Sequence, residues 1–344
     1  MNSIKTAMRD QKDPHPVDEP RFGLRVPLDG SPAPFRVLVN VRWLWAGLVG
    51  LVAFLVTLVR VPRHLRLPLV LSGVLAGLSM LVTAIVQARQ LAVEHVTIPI
   101  DDLPPALDGF TIIQLSDFHL GSPFSAANLQ RAIAWMRRQQ PDLVVLTGDF
   151  VSYTDNLPLL HEGLQDLSAH HGIYAILGNH DYWTDIAVVE QALARHSIEL
   201  LRNEQRCIDV GGSRLYLVGI DCVWEAQHDL ELALSSIADD GPVVVLAHEP
   251  DIADEIAAYG PALQLSGHTH AGHITLPGLG PLFLPRHGFR YFRGLHRVGR
   301  MWLYVSRGLG GAPLRLGCPP EATMLRLRAA PRSGSDERRN ESSS

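Results

Sequence analysis

The chain has 344 residues, 47% of them hydrophobic and only 19% charged, with a formal net charge of −5. The hydrophobic share allows a sizeable core, the low charged share points to a membrane part, and the negative balance argues against a general attraction to nucleic acid. Cys207, Cys222 and Cys318 are odd in number and lack C-x-x-C spacing, which argues against a disulfide framework and a thiolate zinc site.

Residues 1–36 are polar and contain Pro14, Pro16, Pro20, Pro27, Pro32 and Pro34. Such a stretch buries little surface and is expected to be disordered. Residues 37–90 hold two uncharged apolar runs, WLWAGLVGLVAFLVTLV at 43–59 and LPLVLSGVLAGLSMLVTAIV at 67–86. Their lengths suit two membrane-crossing helices, with Trp43 and Trp45 placed as interfacial anchors. A signal peptide fits less well, because the polar lead is long and no small-residue cleavage site follows. A buried hairpin fits less well too, since uncharged runs this long are rare in soluble cores. The linker between the runs carries Arg60, Arg63 and Arg66 without an acid, whereas Arg25, Arg36, Arg42 and Arg89 flank the outer ends. The linker arginines favour a cytoplasmic linker and an external C-terminal domain; the flanking arginines pull the other way.

Residues 91–330 have a different pattern. FTIIQL (110–115), LVVLT (143–147), IYAIL (173–177), VVVLA (243–247) and ALQLS (262–266) are short, apolar and β-rich, as buried strands are. Amphipathic stretches separate them. SAANLQRAIAWMRRQQ is expected to open with Ser125 as its N-cap, and TDIAVVEQALARH with Thr184 and Asp185. RCIDVGGSRLYLVGI reads as a hairpin turning at Gly211-Gly212, and MWLYVS and TMLRLR add late strands. The class is α/β, with sheets inside and helices outside. The tail at 331–344 is polar and expected to be disordered.

Each of the five buried strands is followed by residues that bind metals. Asp117 and His119 follow the first, Asp149 the second, Asn179, His180 and Asp181 the third, His248 the fourth, and His268 and His270 the fifth. In open α/β sheets the ligand crevice lies at the carboxyl ends of strands, so loops far apart in sequence can converge. Carboxylates, a carboxamide and imidazoles suit divalent cations without a thiolate. Seven donors exceed what one catalytic ion takes and suit two ions sharing a carboxylate. An extended GHTH segment would point His268 and His270 to one side, one histidine for each ion. Gly148, Gly178 and Gly267 precede proposed ligands and permit close backbone approach. Singly, the aspartates could be caps and the histidines satisfied core residues.

D-x-H, G-D, G-N-H-D, H and G-H-T-H in this order resemble the calcineurin-like metallophosphoesterase superfamily over residues 92–329. LPPALDGFTIIQLSDFHLG, GIYAILGNHDYW and LYVSRGLG resemble its membrane-associated bacterial phosphodiesterase subgroup. The resemblance implies a four-layer α/β/β/α sandwich, here preceded by two transmembrane helices. It implies two divalent ions, with Mn, Fe, Zn and Mg all compatible. Asp117, His119 and His270 would bind one ion and Asn179, His248 and His268 the other, with Asp149 as the bridge. A hydroxide between the ions would attack phosphorus, with His180 near the leaving oxygen and Asp181 orienting His180. The implied substrate is a phosphoester or pyrophosphate. Some members of the subgroup act on a nucleotide-activated acylated glucosamine of lipid A synthesis, so a lipid-linked substrate such as UDP-2,3-diacylglucosamine is expected, together with contact to membrane lipids. The expected location is a bacterial cytoplasmic membrane, with the catalytic domain leaning to the external, periplasmic side.

Related members continue G-H-T-H-G-G-Q, where this chain has Ala271, Gly272 and His273. Ala271 is compatible with the turn if its φ is negative, and His273 is a candidate substrate contact. PRHGFRYFRGLHRVGRMW at 285–302 is basic and aromatic. Arg290 and Tyr291 within it are candidates for substrate phosphates or anionic headgroups, or members of a solvated hairpin. GLGG at 308–311 lacks the P-loop lysine and reads as a turn. Two other classes stay open: a non-catalytic interaction module on the same fold, and a nuclease, which the net charge and the membrane anchor disfavour.

Overall fold

A computed structural model describes residues 23–28 and 35–331; the disorder expected at 1–22, 29–34 and 332–344 lies outside the described residues. The two apolar runs form helices α1 (Val41–Arg60) and α2 (Arg63–Ala88). Leu48, Val52, Leu55, Leu71, Leu75 and Leu78 lie exposed along them. Two such helices side by side present far more apolar surface than a water-facing monomer carries, and they mark the chain as membrane-associated. Only near the end of α2, at Ala84 and Ala88, does burial begin.

The rest of the chain forms two facing six-stranded sheets. The first has the order β3 (Ala92–Ile100), β17 (Glu321–Ala329), β4 (Thr111–Leu115), β5 (Leu143–Thr147), β6 (Ile173–Ile176), β7 (Ile198–Leu200). Strands β4 to β7 run parallel, and β17 pairs antiparallel with β4 and parallel with β3. The second has the order β15 (Gly294–Val298), β16 (Met301–Val305), β11 (Leu263–Ser266), β10 (Val243–Leu246), β9 (Ser213–Gly219), β8 (Glu204–Val210). Its four central strands are parallel, and β15 and β8 flank them antiparallel. The five buried runs are thus β4, β5, β6, β10 and β11. The hairpin turning at Gly211-Gly212 is β8–β9, and the late strands are β16 and β17.

Strand periodicity sorts the core into three layers. In β5, Leu143 and Val145 face the second sheet, where they meet Leu217, Val244 and Leu263. Val144 and Leu146 face outward against Leu129, Ile133 and Met136 of helix α3 (Ser125–Gln139) and Val189 and Leu193 of the helix Ile186–Arg195. On the far side, Val218, Val245 and Leu303 pack under Leu234, Ala253 and Ile256. Helix, sheet, sheet and helix follow one another, which is the four-layer α/β/β/α sandwich.

Two expectations need correction. Within residues 1–36, Gly23–Leu28 and Phe35–Asn40 are strands β1 and β2, paired antiparallel. GLRVPL and FRVLVN are short, largely apolar runs, and β2 pairs with β14 (Phe283–Pro285), register Phe283↔Val39; a strand pair (β12, Thr275–Leu276, and β13, Gly280–Pro281) lies just before it. Ser125 is not the cap of α3. It is the first helical residue, Phe124 holds the cap position with φ 70° and no side-chain bond, and the Ser125 hydroxyl donates back to the Ser122 carbonyl. Asp185 does cap its helix, accepting from the Val188 amide.

The membrane helices are rooted in the domain at two neighbouring loops. Strand β2 ends at Asn40 and α1 starts at Val41, with no linker between them. The Trp43 indole donates to the Gly280 carbonyl at 3.2 Å. At the end of α2, the Arg315 amide donates to the Ala84 carbonyl at 3.0 Å, Asn128 Nδ2 to the Ala88 carbonyl at 3.0 Å, and the Gly317 amide to Gln87 Oε1 at 2.8 Å.

Candidate metal centre

The carboxyl ends of β4, β5, β6, β10 and β11 lie side by side, and the loops that leave them bring the predicted donors together. Asp117, His119 and His270 form one buried group, and Asp149, His248 and His268 a second; a third joins His119, Asp149 and the partly exposed His180. His270 Nε2 lies 3.6 Å from Asp117 Oδ1 and 3.0 Å from His119 Nε2. Asp149 Oδ2 lies 3.2 Å from His248 Nε2 and 3.5 Å from His119 Nε2. Asp149 therefore sits between the two outer groups, where a bridging carboxylate belongs. Asn179 is buried beside them with its Oδ1 unpartnered.

The backbone is bent to achieve this. Asp117, His119, Asp149, His268 and His270 all have positive φ, between 45° and 73°. A non-glycine residue in that region is strained by about 1–2 kcal/mol, and such strain gathers at functional sites whose surroundings over-determine it. GHTH is therefore not extended as expected: Thr269 is right-handed, with φ −85°, between two left-handed histidines. The two imidazoles still reach separate groups. Ala271 also departs from expectation, with φ +51°; it sits in the conformation that glycine adopts freely. Gly267 is needed for proximity, since a Cβ there would lie 2.2 Å from Asp117 Oδ2.

Hydrogen bonds fix which ring nitrogens are bare. His248 donates Nδ1–H to the Thr147 carbonyl at 2.7 Å, and His268 donates Nε2–H to the Arg286 carbonyl at 2.8 Å. Each leaves its other nitrogen as a lone-pair donor for a cation, the usual arrangement of a ligating histidine. Asp117 is held by the His268 amide and the Ser116 hydroxyl, and Asp149 Oδ1 by the His180 amide. Below them, Gln114 Nε2 reaches Thr147 Oγ1 and the Ser266 carbonyl, tying the two sheets beneath the site.

The charges suit a cation site. Burial pushes Asp117 up to about 7 and pushes His119 and His268 down to about 3. Burial would raise Asp149 too, but His248 and His180 hold it well below the carboxylate range. Burial also lowers His180. Carboxylates, imidazoles and an orphaned amide oxygen in one buried space fit divalent ions.

Two predicted residues play other parts. Asp181 does not orient the His180 ring. Its carboxylate accepts from the Asp149 amide at 2.8 Å, the Phe150 amide at 2.9 Å and the Gly178 amide at 2.8 Å, pinning two ligand loops together. The 285–302 segment touches the site through the Arg286 carbonyl and Pro285, but Arg290 and Tyr291 are engaged elsewhere. Asp251 accepts from the amides of Phe289, Arg290 and Tyr291, and the side chains of Arg290 and Tyr291 both reach Asp254. His273 does enter the site: its ring stacks on His270 at 4.6 Å and faces a cavity of about 490 Å³. His119, His180, Tyr153, Trp183, Trp224 and Phe283 also line that cavity.

Other residues carried no usable sequence signal. Gly308, Gly310 and Gly311 press against Asp117, Phe118 and His270, so GLGG is a close-packed floor as well as a turn. Arg315, a lone arginine in the sequence, is wholly buried against His270.

Facing sheets with Asp and His donors gathered at their carboxyl ends define a metal-dependent hydrolase of phosphoester bonds. The chain belongs to the calcineurin-like metallophosphoesterase family, whose members use a dinuclear metal centre; residues 110–272 match the family described as calcineurin-like phosphoesterase. It is 35% identical over 247 residues to the uncharacterized metallophosphoesterase YkuE of Bacillus subtilis, covering 69% of this chain and 85% of that protein. It is 32% identical to the phosphodiesterase YaeI of Escherichia coli, covering 63% of this chain and 82% of that one. It is 34% identical to a transmembrane protein with metallophosphoesterase domain of Danio rerio, covering 78% of this chain and 63% of that one.

Proposed function

We propose that this membrane-anchored hydrolase cleaves a phosphodiester or pyrophosphate bond of an amphiphile presented at the bilayer surface, of the kind represented by UDP-2,3-diacylglucosamine. One observation carries the reading: both membrane helices are rooted in the loops that wall the candidate site. Strand β14, whose Phe283 and Pro285 line the cavity, is paired to β2, and β2 runs straight into α1. Gly311, Ala312 and Pro313 line the same cavity, and Arg315 and Gly317 just beyond them hold the end of α2. The aromatic lining offers an apolar body room beside the polar donors.

Asp117, His119 and His270 would hold one divalent ion, and Asn179, His248 and His268 the other, with Asp149 between the two groups. When bound, two such ions supply charge and Lewis acidity for in-line displacement at phosphorus. His180 stands at the cavity face of the donor groups, where its imidazole can meet charge or a proton at the leaving oxygen. His119, Asp149 and Asn179 line the cavity beside it. His273 and Trp224 bound the space for the rest of the substrate.

Full-length protein in mixed micelles with Mn²⁺ tests this. Bis-p-nitrophenyl phosphate reports the reaction class, and UDP-2,3-diacylglucosamine against a water-soluble nucleotide diester reports the substrate class. Preference for the acylated compound supports the reading. Equal turnover of both, with an intact reaction, would remove the amphiphile and leave the phosphodiesterase.

A further inference from the structure

Acidic residues avoid one end of this molecule. The chain has 35 of them against 30 basic residues, yet none lies between Asp29 and Glu94, between Asp117 and Asp142, or between Glu255 and Glu321. Those three stretches are the ones that meet at the roots of the membrane helices. The Trp43 indole bonds the Gly280 carbonyl, Asn128 the Ala88 carbonyl, the Gly317 amide Gln87, and the Arg315 amide the Ala84 carbonyl. Aspartates gather at the opposite end. Strand β3 starts three residues after α2 ends, and its nine residues carry the chain about 30 Å away, at about 3.3 Å each. Asp101 and Asp102 follow it, and with Asp239 and Asp240 they line a cavity at the amino ends of β10 and β11.

The acid-free end presents arginine instead. Arg89, Arg131 and Arg293 are exposed, and none has a carboxylate partner among the described residues, whereas Arg290, Arg300 and Arg328 each hold one. Arg131 Nη1 donates to the Arg89 carbonyl at 3.1 Å and to Asn128 Oδ1 at 3.0 Å, and Arg293 Nη1 to the Gly317 carbonyl at 3.2 Å. The Arg89 guanidinium lies over the Phe124 ring. These contacts hold the three beside the last turn of α2. Since a guanidinium carries five N–H donors, most of theirs meet no acceptor among the described residues. The neighbouring Ile274–Leu282 turn is uncharged, with Leu276 and Leu282 half-buried and Pro277 exposed. Where an apolar helix leaves a bilayer the protein meets headgroup phosphates, and arginine binds phosphate through paired N–H donors.

We propose that this end of the domain is a binding surface for acidic phospholipids, with Arg89, Arg131 and Arg293 holding headgroup phosphates. The domain then sits on the bilayer with its arginines down and its aspartate end outward. The far end stands well beyond the about 8 Å over which charge is felt at physiological salt, so its aspartates do not oppose the contact. The surface is separate from the metal donors and does not depend on what the hydrolase cleaves.

Full-length protein in a neutral detergent is titrated with phosphatidylglycerol and with phosphatidylcholine of the same acyl chains. Bound lipid is counted by native mass spectrometry, and thermal melting is recorded beside it. Wild type should prefer phosphatidylglycerol. Arg89→Gln, Arg131→Gln and Arg293→Gln should each cut that preference by about 5-fold, as expected for one arginine at an anionic surface. Arg89→Lys, Arg131→Lys and Arg293→Lys together keep the charges and should keep most of the preference. Arg300→Gln, at the aspartate end beside Asp101, should match wild type. Should Arg131→Gln or Arg293→Gln melt early, Arg89→Gln reads the charge alone, because its guanidinium has no hydrogen-bond partner among the described residues. Equal binding of the two lipids by wild type overturns the proposal. So does a preference that the Gln variants leave intact or that the Lys variant abolishes. Loss of the preference in His180→Ala overturns it too, since the lipid would then lie at the metal centre.

Discussion

His248 and Thr147 belong to different sheets, and the Nδ1–H of His248 donates to the Thr147 carbonyl at 2.7 Å. That bond holds His248 Nε2 toward Asp149 Oδ2, 3.2 Å away. His248→Ala should therefore remove one of two bound Mn²⁺ ions, and Asp149→Ala should remove both. Activity should fall in each by more than the about 10–100-fold that loss of an outer partner causes. Metal stoichiometry on purified full-length protein distinguishes them, and two ions retained by Asp149→Ala would contradict its bridging place.

Asp181 should matter as a pin of the loops. Asp181→Ala leaves three buried amides without an acceptor, each costing about 1–3 kcal/mol. A loss of at least about 3 kcal/mol is expected in denaturant unfolding, with Asp181→Asn intermediate because one oxygen remains. Wild-type stability in Asp181→Ala would show that those amides find other partners.

Gly310→Ala tests the floor. A Cβ there would stand 1.9 Å from the Phe118 carbonyl and 3.1 Å from His119 Cβ. The D-x-H loop must shift, and a displacement near 1 Å costs about 10²-fold in rate. Circular dichroism should stay close to wild type while diester turnover drops. An active Gly310→Ala would mean the loop yields elsewhere.

Arg290→Ala should leave turnover unchanged. Its guanidinium is exposed and pairs with Asp254, so about 0–1 kcal/mol of stability is at stake. A large rise in KM for an anionic substrate would return Arg290 to the site.

Metal-stripped protein should lose stability as the pH falls from about 6.5 to 5. Burial lowers the imidazoles of His119, His180, His268, His270, His273 and His287. The unfolded chain protonates all of them near about 6.5, so acid favours unfolding. Asp117 and Asp181, pushed up to about 7 chiefly by burial, and His248, raised by Asp149 against its burial, act in the opposite sense. His196 is lowered likewise, and Asp251 and Glu321 are raised likewise; seven imidazoles against five opposing groups set the sign. Denaturant midpoints at about pH 7 and pH 5 read it; a higher midpoint at the lower pH would reverse the balance.

Much of this arrangement could be read from residue order because strand patterning is local. Leu143 to Leu146 are apolar on both faces of a parallel strand, and a carboxylate or imidazole just after such a run has only the strand end to occupy. Asp117, Asp149 and His248 were legible for that reason. Asp181 was misassigned because adjacency to His180 in sequence says nothing of where its oxygens point on a helix of five residues. Arg290 and Tyr291 were ambiguous because their partner, Asp254, lies 36 residues from Arg290. Arg315 was invisible: its significance lies in contacts with His270, 45 residues away, and nothing in its neighbours marks it. The β1–β2 pair was overlooked because the prolines around it outweighed its two short apolar runs.

The two outer donor groups each draw on both sheets: Asp117 and His119 with His270, and Asp149 with His248 and His268. An ion in either one is a rivet through the seam of the sandwich, at the end where the membrane helices are rooted. Hydrophobic side chains close that seam along its length, but they pull without direction, whereas the rivets fix the spacing at one end. Taking the ions out should therefore loosen the molecule unevenly, with the edge beside the bilayer parting first and the far edge staying shut. Amide exchange in stripped protein would show that gradient along β4, β5, β10 and β11, steepest at their last residues.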